Sequence, residues 1–388
     1  MSSTTPASTV ITGIGELTTV DPDHRVLQDA AVAIENGRIA WIGPTRQAPA
    51  ADVRWDAGGR AVLPGWVDSH THLVFAGDRG AEFEARMAGE SYSAGGIGVT
   101  MAATRAAYDA ELARLLAARV AEARAGGTTF LETKTGYGLS VDEEVRHARL
   151  AGEAADVVTF LGAHLVPPGA EADEYLDQVC GPMLQAVKDH VQWADVFCER
   201  GAFDEDASRR VLLACREAGL GLRVHGNQLG PGPGVRLAVE LGAASVDHVN
   251  HLEDADVEAL AGSSTVATCL PACDLSTRQP LAPGRRLLDA GAEIALASNC
   301  NPGTSYTTAM GFCVATAVLQ MELSLHEAVR AATMGGAQAL RVAEEVGSVE
   351  LGKRADLQVL DAPAAIHLAY RPGMPLTHTV FKDGRPDI

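Results

Sequence analysis

The stretch AVLPGWVDSHTHL, residues Ala61–Leu73, decides the reading of this chain. It opens as an apolar run of strand-forming residues and closes on His70-Thr71-His72. Alternate side chains of an extended segment share a face, so the two imidazoles project together. A buried strand that ends on paired histidines fits a barrel strand, which delivers functional groups at its C-terminal end.

Seven later segments repeat that form. They are GTTFLETK (127–134), VVTFLGAH (157–164), WADVFCE (193–199), GLRVHGNQ (221–228), SVDHVN (245–250), STVATCL (264–270) and EIALASN (293–299). Helix-like stretches, such as Glu111–Arg124 and DEDASRRVLLACREAG (204–219), separate most of them. Eight β/α repeats predict a closed (β/α)8 TIM barrel. The competing reading is an open doubly wound sheet, but no G-x-G-x-x-G follows the first strand, so a dinucleotide site has no local support.

Both ends read as short strands. VITGIGELTTV (10–20) and AVAIENGRIAWIG (31–43), with its Asn36-Gly37 turn signal, precede the repeats. LGKRADLQVL (351–360) and LTHTVFKDGRPDI (376–388) follow them. The expectation is a small β-sandwich domain built from residues 1–60 and 346–388, around a metal-dependent barrel of residues 61–345.

Composition narrows the function. Aromatic residues are only 5%, so Ala, Val and Leu must fill the core. Fifty acidic residues against 31 basic give a net charge of -19, which argues against a nucleic-acid partner. The opening residues lack a secretory pattern and no apolar run reaches membrane length. Seven cysteines at irregular spacing form no disulfide framework and read as small buried hydrophobes. These features predict a cytoplasmic protein without a membrane partner.

The polar residues fall at the strand ends: His70 and His72, Glu132 and Lys134, His164, Glu199, His225, His248 and Asn299. In a barrel they converge on one mouth. His70, His72 and His225 are candidate metal ligands, because three neutral imidazoles leave an open position for water. Zinc suits these donors best, with iron, manganese and nickel as alternatives. Glu132 and Lys134 are expected to support the ligands rather than bridge two metals. Arg79, Tyr92 and Tyr137 offer a charged fork and two hydroxyls for a carboxylate, the plainer alternative being loop and packing residues. The turn Asn301-Pro302-Gly303 is a candidate for turning backbone N–H groups toward an anion. His147 and His190 fall in helical stretches, where packing or solvent exposure is expected.

Taken together, the motifs resemble the imidazolonepropionases of the amidohydrolase superfamily over nearly the whole chain. The likeness rests on PGWVDSHTHLVFAGDRGAEFEARMAGESY, GTTFLETKTGYGLS, TFLGAHLVPP, ADVFCE, VHGNQL, VDHVNHL, NPGTS and SVELGKRADLQVLD. His-x-His alone marks only the superfamily; the GDR, GYGL, LGAHLVPP and NPGTS segments together mark the branch. The resemblance implies a cytosolic, usually homodimeric enzyme of histidine degradation. Such enzymes hydrolyse the ring amide of 4-imidazolone-5-propanoate to N-formimino-L-glutamate with one divalent ion. It implies that the ion lies among His70, His72, His225 and the strand-eight position, Asn299. It implies that Arg79, Tyr92 and Tyr137 hold the substrate carboxylate, with Asn301 and Gly303 beside them. His164 would touch the ring, Gln228 would lie beside the ring or the attacking water, and His248 would orient or deprotonate that water.

Two positions depart from the family pattern. The family reads Thr-Asp or Ser-Asp before its Asn-Pro-Gly turn, and this chain reads Ser298-Asn299-Cys300 before Asn301. A carboxamide is neutral and cannot accept a proton as a base does. The milder departure is Gly226-Asn227, where Ala-Asp or Ala-Glu is usual. Three functions stay open at this point: ring-opening hydrolysis, a divergent cyclic amidohydrolase or deaminase on another carboxylated ring, and a non-hydrolytic metal-binding homologue. The retained Arg79, Tyr92 and Tyr137 favour a carboxylated substrate over a plain nucleobase.

Overall fold

A computed structural model of the chain describes residues 8–89 and 96–387. Five strands come first: β1 (Ser8–Thr18), β2 (Val26–Glu35), β3 (Arg38–Pro44), β4 (Val53–Asp56) and β5 (Ala61–Pro64). Eight barrel strands follow: β6 (Trp66–Asp68), β7 (Thr128–Lys134), β8 (Val157–Ala163), β9 (Trp193–Cys198), β10 (Gly221–Gly226), β11 (Ser245–His248), β12 (Val266–Cys269) and β13 (Ile294–Leu296). The chain ends on β14 (Leu357–Leu360), β15 (Thr377–Lys382) and β16 (Arg385–Asp387).

β6 to β13 pair in chain order, and every pairing is parallel. All seven residues of β7 and of β8 are buried, as in a parallel sheet covered on both faces. The last strand returns to the first just beyond β6: Asn299 N donates to His70 O at 3.0 Å and His72 N donates to Cys300 O at 2.9 Å. Ser298 Oγ donates to Asp68 at 2.6 Å across the same seam. The result is a (β/α)8 barrel, closed where the paired histidines lie. Its core is built from small and branched residues, among them Leu222, Val224, Val246, Ala267 and Leu296, as the scarcity of aromatics requires.

The strands of both chain ends form one mixed sheet, ordered β16-β15-β14-β5-β1-β2-β3, with β4 also on β1. Its apolar face is a separate core that includes Ile11, Ile14, Val32, Leu357 and Phe381. Ala61–Pro64, read from sequence as the opening of the first barrel strand, instead pairs with β1 and β14, and the barrel strand begins only at Trp66. Gly65 then passes the chain into β6, and a side chain there would run into Thr129 at 2.2 Å. One continuous segment thus ties the terminal sheet to the barrel strand that carries the histidine pair. Among the described residues no helix is long and apolar enough to cross a membrane.

Candidate active site

His70 and His72 follow β6, His225 ends within β10, and all three are buried. Their ligand atoms lie within 4.8 Å of one another. Nε2 of His70 and Nε2 of His72 are 3.3 Å apart. That spacing suits one edge of a tetrahedron whose nitrogen ligands stand about 2.0–2.1 Å from a central ion.

Acidic residues behind the imidazoles set their orientation. His70 Nδ1 donates to Asp247 Oδ2 at 2.6 Å, which leaves Nε2 bare toward the centre. His225 Nδ1 lies 3.1 Å from Asp195 Oδ2, an ion-pair distance without in-line hydrogen-bond geometry. Lys134 joins the two acids: its Nζ is 2.9 Å from Glu132, 3.0 Å from Asp195 and 3.8 Å from Asp247. Arg223 adds a contact of 3.2 Å to Asp247. Every side chain in this ionic layer is sealed from solvent.

The electrostatics follow from that packing. Burial raises the Asp247 carboxyl, but Arg223, His70 and Lys134 outweigh it and hold the group well below its usual range. Asp195 is likewise held low by His225 and Lys134 against its burial. Burial, then the nearby Lys134, pushes His70 down to about 3. Burial lowers His72 and His248 well below the ordinary histidine value. Neutral imidazoles with carboxylates behind them are ligands ready for a cation. Asn299 Oδ1 is buried with no hydrogen-bond partner. An orphaned carbonyl oxygen beside three convergent imidazoles fits a divalent ion. His70, His72 and His225 therefore form a divalent-metal-binding site.

A cavity opens beside this centre. His72, Arg79, Tyr137, His164, His225, Gln228, His248 and Asn299 line it, and the His72 ring stacks on that of His164 with centroids 5.7 Å apart. Of the described residues singled out from sequence, His70, Glu132, Lys134, Glu199 and Gly303 fall outside this lining. His70 stands directly behind the cavity, with its ring centroid 4.5 Å from that of His225. Tyr92 lies outside the described residues. Asn301 lines the cavity, but its side chain builds the turn. Its Oδ1 accepts from Gly303 N at 2.9 Å and Thr304 N at 2.8 Å, and its Nδ2 donates to Asn299 O at 2.7 Å. The Gly303 N–H is thereby spent inside the turn. What Gly303 contributes is space, since a Cβ there would sit 2.1 Å from Arg79 Nη1. Glu199 is turned to the backbone and accepts from the N–H groups of Gln228 and Leu229.

Arg79 is almost fully buried, and Glu82 grips its Nε at 2.8 Å and its Nη2 at 2.6 Å. His164 Nδ1 donates to Gly136 O at 2.9 Å. Burial pushes His164 down to about 4, so the ring is neutral and its Nε2 is an acceptor. Tyr137 is placed by Glu144, whose carboxylate accepts from the N–H groups of Gly136, Gly138 and Leu139 at 3.1, 2.9 and 2.8 Å. The sequence reading did not single out Asp195, Asp247, Arg223, Glu82 or Glu144. The available signal was a charged residue inside an otherwise apolar strand, as in WADVFC and GLRVHG.

Comparison with known proteins agrees with this geometry. Residues 61–386 match the model of the amidohydrolase family. The chain is 70% identical to the imidazolonepropionase of Arthrobacter sp. (strain FB24), over 97% of this chain and 99% of the relative. It is 69% identical to the imidazolonepropionase of Micrococcus luteus over the same shares, 97% and 99%. The Mycolicibacterium smegmatis imidazolonepropionase is 57% identical, over 97% and 96%. Among solved structures, an adenosine deaminase from Xanthomonas campestris with bound zinc superposes with a TM-score of 0.73 at 20% identity, covering 98% of this chain and 92% of that one. An atrazine chlorohydrolase from Arthrobacter aurescens, complexed with zinc and atraton, gives 0.75 at 18%, covering 97% and 94%. At such identities the structural likeness speaks for the fold alone.

Proposed function

From the premise that the chain belongs to the imidazolonepropionase family of amidohydrolases, we propose how its site opens an imidazolone ring. The reaction is hydrolysis of the ring amide of 4-imidazolone-5-propanoate to N-formimino-L-glutamate. The observation that carries this reading is the buried histidine centre sharing the lining of one cavity with Arg79, Tyr137 and His164.

His70, His72 and His225 hold the ion, with the Asn299 carbonyl as a neutral fourth donor. Zinc suits this donor set first and iron second. When bound, a divalent ion lowers the pKa of a water and polarises the ring carbonyl. The remaining work falls to the chain's own side chains. Arg79, steadied by Glu82, and Tyr137 hold the propanoate carboxylate. His164 accepts a ring N–H at Nε2, because its Nδ1 proton is committed to Gly136. Gln228, which also lines the cavity, orients the ring or the water. His248, neutral through burial, takes the proton of the attacking water and returns it to the ring nitrogen as the C–N bond breaks. Asn299 cannot share that duty, since a carboxamide has no basic site. In this reading the protein is a cytoplasmic homodimer of histidine degradation, and Tyr92 joins the carboxylate site.

The test is product analysis. Purified, zinc-loaded protein is mixed with imidazolone propanoate and the ring-opened amidine acid is measured by mass spectrometry. The reading expects that product above the spontaneous background. Background levels alone, from protein with full metal content, would refute it.

A further inference from the structure

A second group of metal-competent side chains lies next to the histidine centre. His248, Cys273 and Asp274 are all buried and place their ligand atoms within 4.8 Å of one another. Cys273 and Asp274 stand on the short helix Pro271–Thr277 that follows β12, and His248 ends β11. The His248 ring centroid is 5.3 Å from that of His225 and 5.7 Å from that of His70.

Cys273 packs with Leu270 and Ala297. Its sulfur also accepts from Gln228 Nε2 at 3.8 Å and lies against the polar side chains of Asn299 and Thr304. The sulfur thus meets polar side chains as well as apolar ones, within ligand distance of His248 and Asp274. A second observation is independent of the sulfur: His248 Nδ1 is buried with no hydrogen-bond partner. Asp274 keeps one oxygen on Ala282 N at 3.2 Å, and a carboxylate retains lone pairs beyond such a contact.

We propose that His248, Cys273 and Asp274 form a second, thiophilic cation site beside the histidine centre. A thiolate and a carboxylate together neutralise a divalent charge, which the three imidazoles do not. The donor set suits zinc, cadmium or cobalt and disfavours magnesium or calcium. On binding, the thiol proton leaves to water and the sulfur coordinates the ion. Occupancy also takes His248 out of proton transfer, so excess zinc inhibits ring opening.

Cobalt reports the two sites separately. A thiolate ligand gives cobalt an intense near-ultraviolet charge-transfer band, and imidazoles alone do not. The whole chain, already holding one equivalent of cobalt, is titrated with more cobalt and followed by absorbance and by elemental analysis after desalting. The expected result is a second equivalent that enters together with the charge-transfer band. Cys273→Ser should keep the first equivalent and lose both the second and the band. Asp274→Asn, an independent variant in case the serine protein misfolds, should weaken the second equivalent at least about tenfold. A single equivalent with no band in the native chain overturns the proposal. So does a band that survives Cys273→Ser, since another cysteine would then hold the ion. Neither result bears on the histidine centre, which is read by the first equivalent.

Discussion

Nδ1 of His70 lies 2.6 Å from Oδ2 of Asp247, and both side chains are fully buried. The contact fixes the tautomer of the ring and directs Nε2 to the metal centre. Asp247 is in turn held by Arg223 and Lys134. Orienting carboxylates of this kind are worth about 10–100-fold in metal affinity. Asp247→Asn should therefore weaken zinc retention by about that factor. Competition with a chelator of known affinity measures it, and unchanged retention would show that the ring is oriented by packing alone.

Lys134 faces three buried carboxylates, those of Glu132, Asp195 and Asp247. Removing the cation leaves Glu132 and Asp195 buried without their lysine, and breaking a buried ion pair in this way costs about 3–5 kcal/mol. Lys134→Met is expected to unfold at correspondingly lower denaturant, and Asp195→Asn in the same chain should recover part of the loss. A Lys134→Met protein as stable as the native one would mean that water reaches this layer.

In the proposed reading Arg79 supplies the charge for the substrate carboxylate. Arg79→Ala should raise KM by about one to two decades, the worth of a charge-assisted contact of roughly 1.5–3 kcal/mol. Lysine should not restore it, because the planar fork that Glu82 grips would be absent. Steady-state kinetics decide this, and an unchanged kcat/KM would remove Arg79 from the carboxylate site.

His147 gives a pH dependence away from the metal centre. It is fully buried on the helix Val141–Gly152, and neither ring nitrogen has a hydrogen-bond partner. Burial, then Arg146 and Arg105, lowers it from 6.5 to about 4. Its folded value is below its unfolded one. The stability it contributes is therefore full above pH 6.5 and drains as pH falls from 6.5 toward 4. That drain amounts to about 3 kcal/mol. A His147→Leu protein lacks it, so the native chain should lose ground to the variant between pH 7 and about pH 4. Thermal melts across that range test the sign, and a constant gap would refute it.

The barrel and most of the cavity were legible because their signals are local. Eight apolar runs, seven of them ending in polar residues, can be read one at a time, and each of these runs contains a barrel strand. His70, His72, His164, His225 and His248 marked those ends in the sequence. The ionic layer beneath them was not legible, because Asp195, Arg223 and Asp247 acquire meaning only when strands far apart in sequence meet side by side. The turn at Asn301 was misjudged for a related reason. Its N–H groups looked free for an anion, but the Asn301 side chain folds back on them. The pairing of Ala61–Pro64 with the terminal sheet is likewise set by partners at the other end of the chain.

The central claim is that this is a complete water-activating centre in which a neutral Asn299 stands where a carboxylate would accept a proton. The most direct measurement compares the native chain with Asn299→Asp at matched zinc content. The loss of imidazolone absorbance, corrected for spontaneous decay, gives kcat for each. A restored proton acceptor should raise kcat by about 10²–10⁴, tighten metal retention and change KM less. Equal rates, or a slower Asp variant, would contradict the claim.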